Sequence, residues 1–286
     1  MAALTARVVL TEQGPIEVCD TGEGPAVLVV HGMPGDWRQA QTVAEDLAGQ
    51  ARVLLVTRPG YGRTPLASGP SARESADLYA GLLHALGITD AVVLGISGGG
   101  PSSYAFAVAH PERCAGLLLC CALQPNLMPL PLLMRAVAAV PGVWPALAAL
   151  SRARARRRPP PPPEPKSYTE TERALLDEPD VQSDLARFHR DQPSWTSGTG
   201  LRNDAQQIQR ARECAPWTAG ASCGVVVLHG DQDDVVPLSH AQDYAARIPG
   251  AVLEVLPGLG HGVPLFARSR LAQLLRELRG VSAAQE

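Results

Sequence analysis

Apolar residues along this chain fall into two alternating patterns. Short continuous runs, Ala26–Val30, Arg52–Thr57, Val92–Gly95, Cys114–Cys121 and Val225–His229, read as strands buried on both faces. Arg7–Leu10 and Ile16–Cys19 read as two shorter strands around the turn Gln13-Gly14-Pro15, and Val252–Leu256 as the last strand. Between them Trp37–Gly49, Ser71–Leu86, Ser102–Ala109 and Arg268–Leu278 read as helices. Within Ser71–Leu86, Leu78, Leu82, Leu83 and Leu86 share one face, and Gly87 marks the end. This alternation predicts an α/β architecture: a mostly parallel central sheet flanked by helices, with function gathered at the carboxyl ends of the strands.

The alternation breaks between two strands. Residues 1–123 and 215–286 carry the strand–helix pattern, and 124–214 read as an inserted helical cap over the carboxyl edge of the sheet. Leu127–Leu150 is long and apolar enough to suggest a membrane span, but Pro129, Pro131, Pro141, Pro145 and Arg135 oppose one. A buried or lid-forming pair of short helices fits better. The run Arg152–Arg158 leads into Pro159–Pro163, so 152–165 reads as an exposed Arg/Pro-rich loop and not as a nucleic-acid patch.

Composition narrows the classes further. The chain has 286 residues, 45% hydrophobic and 19% charged, which is globular and sufficient for one large α/β domain or two smaller ones. A net charge of −3 gives no reason to expect nucleic acid or an anionic membrane as partner. None of the six cysteines sits at zinc-ligand spacing, so they read as reduced thiols, and the serine chemistry considered below requires no metal or organic cofactor. The N-terminus lacks a basic region followed by a long apolar core, which points to a cytoplasmic protein.

The candidate chemistry starts at Gly95-Ile96-Ser97-Gly98-Gly99, a Gly-x-Ser-x-Gly between a strand and a helix. Such a corner would expose the Ser97 hydroxyl at a strained turn, with small neighbours because strand and helix backbones come close. A serine needs a base, and His261, flanked by Gly260 and Gly262 beyond the last strand, is the leading candidate. His84, His110, His189 and His240 read as ordinary helical or surface residues, while His31 and His229 brace strand-end loops. Asp231, Asp233 and Asp234 all follow His229-Gly230, and Asp233 is chosen to orient the base because it lies three residues after Gly230 and four before Pro237. Asp231 would cap the turn, and Asp234 would face solvent or cap the following helix. Backbone N–H groups of Gly98, at a helix start, and Met33, in His31-Gly32-Met33-Pro34, are the expected oxyanion donors. A phosphate cradle at Gly98-Gly99-Gly100 is disfavoured, since neither a Walker lysine nor Gly-x-Gly-x-x-Gly spacing accompanies it.

Taken together, His-Gly-x-Pro-Gly at 31–35, Arg-Pro-Gly-Tyr-Gly at 58–62, Gly-x-Ser-x-Gly-Gly at 95–100, Gly-x-x-Asp-x-x-x-Pro at 230–237 and Gly-His at 260–261 resemble the cap-bearing branch of the α/β-hydrolase superfamily. The chain order Ser, Asp, His is the one that fold uses. The resemblance covers about 1–123 and 215–280 and implies Ser97 as nucleophile, His261 as base, Asp233 as acid, and Met33 and Gly98 as oxyanion donors. Relatives resembling epoxide hydrolases and haloalkane dehalogenases carry aspartate at the nucleophile position, so serine here implies different chemistry. The expected function is hydrolysis of a small, fairly apolar ester, thioester or lactone through an acyl-enzyme, with a small-molecule substrate and no nucleic acid or membrane as partner. Met128, Leu132, Leu133, Met134, Trp144, Trp195 and Val236 would wall the pocket or simply pack. The same triad also suits carbon–carbon bond hydrolysis, acyl transfer or a biosynthetic cyclisation. A ligand-binding protein without turnover is the rival outside enzymology.

Overall fold

A computed structural model of the chain describes residues 4–125, 127, 146, 149–150, 153, 168–195, 197–211 and 220–283. Eight strands among them form one sheet: β1 (Arg7–Thr11), β2 (Gly14–Thr21), β3 (Ala26–Val30), β4 (Arg52–Val56), β5 (Ala91–Ile96), β6 (Cys114–Cys120), β7 (Val225–Gly230) and β8 (Val252–Leu256). The strand order is β1-β2-β4-β3-β5-β6-β7-β8. β1 and β2 are antiparallel to their neighbours, and every pairing from β4 to β8 is parallel.

Period-2 alternation divides the core between the two faces. Leu28, Val30, Leu54, Val56 and Val93 belong to one apolar cluster, and Val27, Val29, Val53, Leu55, Val92 and Leu94 to the other. The first cluster packs under α2 (Ala72–Ala85), α3 (Gly100–Ala109) and α7 (Ser239–Arg247). The second packs under α1 (Gln41–Asp46), α8 (Val263–Phe266) and α9 (Arg268–Ala283). Each large side chain so buried contributes about 1.5–3 kcal/mol, which is why the central strands contain almost no polar positions. α2 opens with a capping box, Ser71 accepting from the Glu74 N–H while Glu74 accepts from the Ser71 N–H.

Local details differ from the sequence expectation. The first hairpin turns at Glu12-Gln13, and Gly14 and Pro15 already pair with Thr11 and Leu10. Proline is tolerated there because β4 joins β2 only from Val18 onward, leaving that edge of Pro15 unpaired. Trp37–Gly49 is not one helix: a 3-10 turn over Trp37–Ala40, capped by Asp36, precedes the short α1. The closing helix runs past Leu278 to Ala283.

Between β6 and β7 lies the long insertion. Its described part includes α4 (Glu170–Leu175), α5 (Pro179–Trp195) and α6 (Gly198–Ala211). The expected Arg/Pro-rich loop at 152–165 and nearly all of Leu127–Leu150 lie outside the described residues. No helix among the described residues is long and apolar enough to cross a membrane.

Candidate active site

Ser97 stands at the end of β5 with φ of +48°, a left-handed conformation that a residue with a Cβ adopts only under strain. The chain turns through a 3-10 segment, Ser97–Gly99, directly into α3. Small residues make this corner possible. A Cβ on Gly95 would lie 2.7 Å from Ser103, and one on Gly100 2.6 Å from the Ala122 methyl. Gly98 sits in the first turn of this helical segment, where backbone N–H groups have no intrahelical acceptor.

His261 reaches Ser97 from the loop after β8. Its Nε2 lies 3.1 Å from Ser97 Oγ and its Nδ1 2.7 Å from Asp233 Oδ2. The 257–261 loop is fastened to the end of β7: the Gln232 N–H donates to the Leu259 carbonyl at 2.9 Å, and the Gly258 N–H to Asp231 Oδ1 at 2.7 Å. Asp231 thus ties two loops together, while Asp234 is exposed on the cavity wall.

Asp233 is buried, and its other oxygen accepts from the Val235 N–H at 3.0 Å and the Val236 N–H at 2.8 Å. Burial alone would push its carboxyl up, but the His261 hydrogen bond and the surrounding donors hold it below the ordinary carboxylate value. His229, fully buried beneath it, stays below the ordinary imidazole value because burial disfavours its charged form. Its Nε2 faces the Val236 carbonyl at 2.8 Å.

Met33 and Gly98 are neighbours: a Cβ on Gly98 would lie 2.8 Å from Met33 Cβ and 3.3 Å from Met33 N. The loop carrying Met33 is braced by His31, whose Nε2 accepts the Arg58 N–H at 2.9 Å. That bond places the ring proton on Nδ1, which donates to the Gly32 carbonyl at 2.7 Å. Burial, then the Arg58 charge, keep His31 well below the ordinary imidazole value.

Ser97 and His261 open onto a cavity of about 590 Å³. One side is core, including Met33, Ile96, Val235 and Phe266, and the other is insertion, including Tyr168, Glu172, Leu185 and Phe188. Among the described residues, two guanidinium groups reach this wall, and both are engaged: Arg38 with Asp36 at 2.8 Å, Arg187 with Asp184 at 2.5 Å and with Glu45.

The pocket assignments from sequence fare unevenly. Val236 does not line the cavity; it is 1% exposed and packs with Leu123, Ile208 and Met33, so its neighbour Val235 faces the space instead. Met128, Leu132, Leu133, Met134 and Trp144 lie outside the described residues, as does the side chain of Trp195 at the end of α5. His240 is not a surface histidine. It is 2% exposed, and its Nδ1 accepts the Gln124 N–H at 2.9 Å.

Insertion residues that motif reading missed touch the site loops, Glu172 and Asp204 among them. Glu172 is buried and accepts the Gly260 N–H, beside His261, at 3.0 Å. Asp204 in α6 pairs with Arg58 and accepts from Tyr61 Oη at 2.6 Å. Thr169-x-x-Glu172 is a capping-box signal legible in sequence, whereas the Arg58–Asp204 pair carries no local signal.

Among the described residues, the one cluster with metal-ligand spacing is Cys121, Asp233 and His261, with donor atoms within 4.8 Å. Asp233 and His261 already bond each other, and the Cys120 contact and burial push the Cys121 thiol up, away from the thiolate a metal takes. The set suits proton transfer to and from Ser97 better than metal binding.

Residues 27–274 match the family described as "Alpha/beta hydrolase family". The chain is 28% identical over 257 residues to the uncharacterized hydrolase YcgS of Bacillus subtilis, covering 87% of this chain and 88% of that one. It is 26% identical to the 2-hydroxymuconate semialdehyde hydrolase of a Pseudomonas strain, covering 90% and 87%. Among solved structures, a thermophilic esterase from Thermogutta terrifontis is similar with a TM-score of 0.67 and 26% identity, covering 97% of this chain and 99% of that one.

Proposed function

The chain belongs to the alpha/beta hydrolase family, and from that premise we propose that it cleaves a small, uncharged carboxylic ester, thioester or lactone through an acyl-enzyme on Ser97. The observation that carries the reading is the continuous contact Ser97 Oγ to His261 Nε2 to Asp233, opening onto a cavity.

The roles follow from the donors and acceptors. His261 Nδ1–H donates to Asp233, leaving Nε2 free to take the Ser97 proton as Oγ attacks the substrate carbonyl carbon. The carbonyl oxygen becomes an oxyanion, and the Met33 and Gly98 N–H groups stabilise it. Collapse breaks the bond to the leaving group, which takes the proton from His261. Water then enters, His261 accepts its proton as its oxygen attacks the acyl carbon, and Ser97 departs with that proton restored. Asp233 stays ionised throughout, stabilising the imidazolium.

Carbon–carbon bond hydrolysis by the same residues is the second reading, favoured by the likeness to the 2-hydroxymuconate semialdehyde hydrolase. The engaged state of Arg38 and Arg187 supports a neutral substrate over an acidic one of the muconate type. A panel of p-nitrophenyl esters, lactones, acyl thioesters and β-diketones tests the choice, with Ser97→Ala as control. Ester or thioester turnover that falls by several orders of magnitude in Ser97→Ala supports the first reading. Turnover confined to diketones supports the second, and turnover that survives Ser97→Ala removes both.

A further inference from the structure

The oxyanion loop of the proposed hydrolase is held from behind by a buried charge that the insertion supplies. Arg58 is 7% exposed and Asp204 5%, and the two form a forked ion pair joining the loop after β4 to α6. Tyr61 Oη donates to the same carboxylate at 2.6 Å. The two segments approach closely only because both are glycine-bearing there. A Cβ on Gly60 would lie 3.0 Å from the Gly200 Cα, and one on Gly200 would collide with the Tyr61 ring. Ser197 Oγ donates to the Gly60 carbonyl at 2.5 Å, closing the joint.

The Arg58 guanidinium also turns toward the site through one nitrogen of that fork. Its Nη1 approaches the Gly32 carbonyl at 3.4 Å, the same oxygen that accepts from His31 Nδ1. That carbonyl and the Met33 N–H belong to one planar peptide unit and point in opposite directions. Holding the oxygen toward Arg58 and His31 therefore turns the N–H away from them. A positive charge at the carbonyl end also polarises the unit, which strengthens the N–H as a donor. The Gly98 position completes the arrangement, since a Cβ there would lie 3.3 Å from Met33 N and 3.4 Å from Arg58 Nη1.

We propose that Arg58, clamped by Asp204 and Tyr61, is a positioning residue that aligns the Gly32–Met33 peptide for the oxyanion, so that docking of α6 sets the competence of the site. The inference rests on the serine-hydrolase reading above. Arg58 touches no reacting atom; it acts through one peptide unit, and the insertion acts through Arg58. Small errors in such a donor matter because oxyanion stabilisation depends on geometry fixed before the reaction begins.

Asp204→Asn keeps the shape and removes the charge that holds the fork. On p-nitrophenyl butyrate it is expected to lower kcat about ten- to a hundredfold with KM changed less than about threefold. The rate constant for labelling of Ser97 by an alkyl fluorophosphonate, whose phosphoryl oxygen must enter the same hole, should fall in parallel. Tyr61→Phe, a gentler change, should lower both about three- to fivefold while the thermal midpoint stays near that of the parent. If Asp204→Asn does not fold, Tyr61→Phe alone decides: unchanged kcat and labelling would overturn the inference. A lower thermal midpoint with unchanged kcat and labelling in Asp204→Asn would also overturn it, leaving the pair a structural staple. The labelling assay separates the two levels of the argument. A parent protein that labels at Ser97 but turns over no ester sinks the ester reading, and the Asp204 comparison by labelling still decides the positioning role.

Discussion

His229 Nε2 lies 3.3 Å from Asp233 Oδ2, the same oxygen that receives Nδ1 of His261 at 2.7 Å. The Asp233 carboxylate is thus steadied from below by a buried neutral imidazole whose proton is shared with the Val236 carbonyl. His229→Leu keeps the bulk and removes the donor. Stability should fall by about 1.5–3 kcal/mol, the usual cost of losing a hydrogen bond to a charged group. The proposed hydrolysis should slow about tenfold, equivalent to about 1.4 kcal/mol in the barrier. Urea titration and kcat on a p-nitrophenyl ester check the two effects, and an unchanged kcat would show that Asp233 needs no such support.

The three aspartates after β7 should separate cleanly when each is changed to Asn. Asp233→Asn leaves His261 in the wrong tautomer and should cost about a thousand- to ten-thousandfold in kcat. Asp231→Asn still accepts from the Gly258 N–H and should cost less than about tenfold. Asp234→Asn, exposed on the cavity wall, should change kcat less than about threefold. A loss at Asp231 or Asp234 matching that at Asp233 would move the acid elsewhere.

Glycine has opposite meanings at two positions. A Cβ on Gly99 would collide with the Val30 carbonyl and lie 2.7 Å from the His31 carbonyl. Both obstacles are backbone and cannot swing aside, so Gly99→Ala should destabilise by about 1–3 kcal/mol or more. Gly280 in α9 meets nothing within 4 Å, so Gly280→Ala should stabilise by up to about 1 kcal/mol through helix propensity. Denaturant midpoints of the two variants should shift in opposite directions.

Acid should weaken the fold well before carboxylates protonate. His31, His229 and His240 are buried and held below the ordinary imidazole value of 6.5, in each case chiefly by burial. Between that value and their lower folded values, the unfolded chain binds protons that the folded chain does not. Stability from these groups is therefore complete above about pH 6.5 and declines as pH falls, by up to about 1.4 kcal/mol per pH unit for each. Urea midpoints at pH 7.5, 6.5 and 5.5 should fall in that order, and His240→Gln should flatten the trend. Constant midpoints across the range would contradict it.

The parallel sheet, the serine corner and the loops bearing His261 and Asp233 were legible in sequence because each depends on a local signal. Continuous apolar runs mark strands buried on both faces, and glycines mark the places where backbones meet. What sequence reading missed depends on tertiary partners. His240 reads as a polar helix position, yet it shares the buried face of α7 with Ala241 and Tyr244, and its acceptor role comes from Gln124, far away in the chain. Val235 and Val236 are indistinguishable as letters; the two N–H bonds to Asp233 decide which side chain turns inward. Arg58 and Asp204 are separated by 146 residues, and neither lies in a pattern that points to the other.

β6 and β7 are adjacent parallel strands, with Leu119 beside Val227 in register. The insertion therefore leaves at the carboxyl end of β6 and the chain re-enters at the amino end of the adjacent β7, so the core fixes the span between those two points whatever the length of the insertion. Loop-closure entropy grows only logarithmically, so doubling such a segment costs about 0.6 kcal/mol. On the proposed reading, exchange or growth of this one segment can change the substrate range over generations, provided that each replacement keeps a carboxylate at Arg58 and an acceptor for the Gly260 N–H.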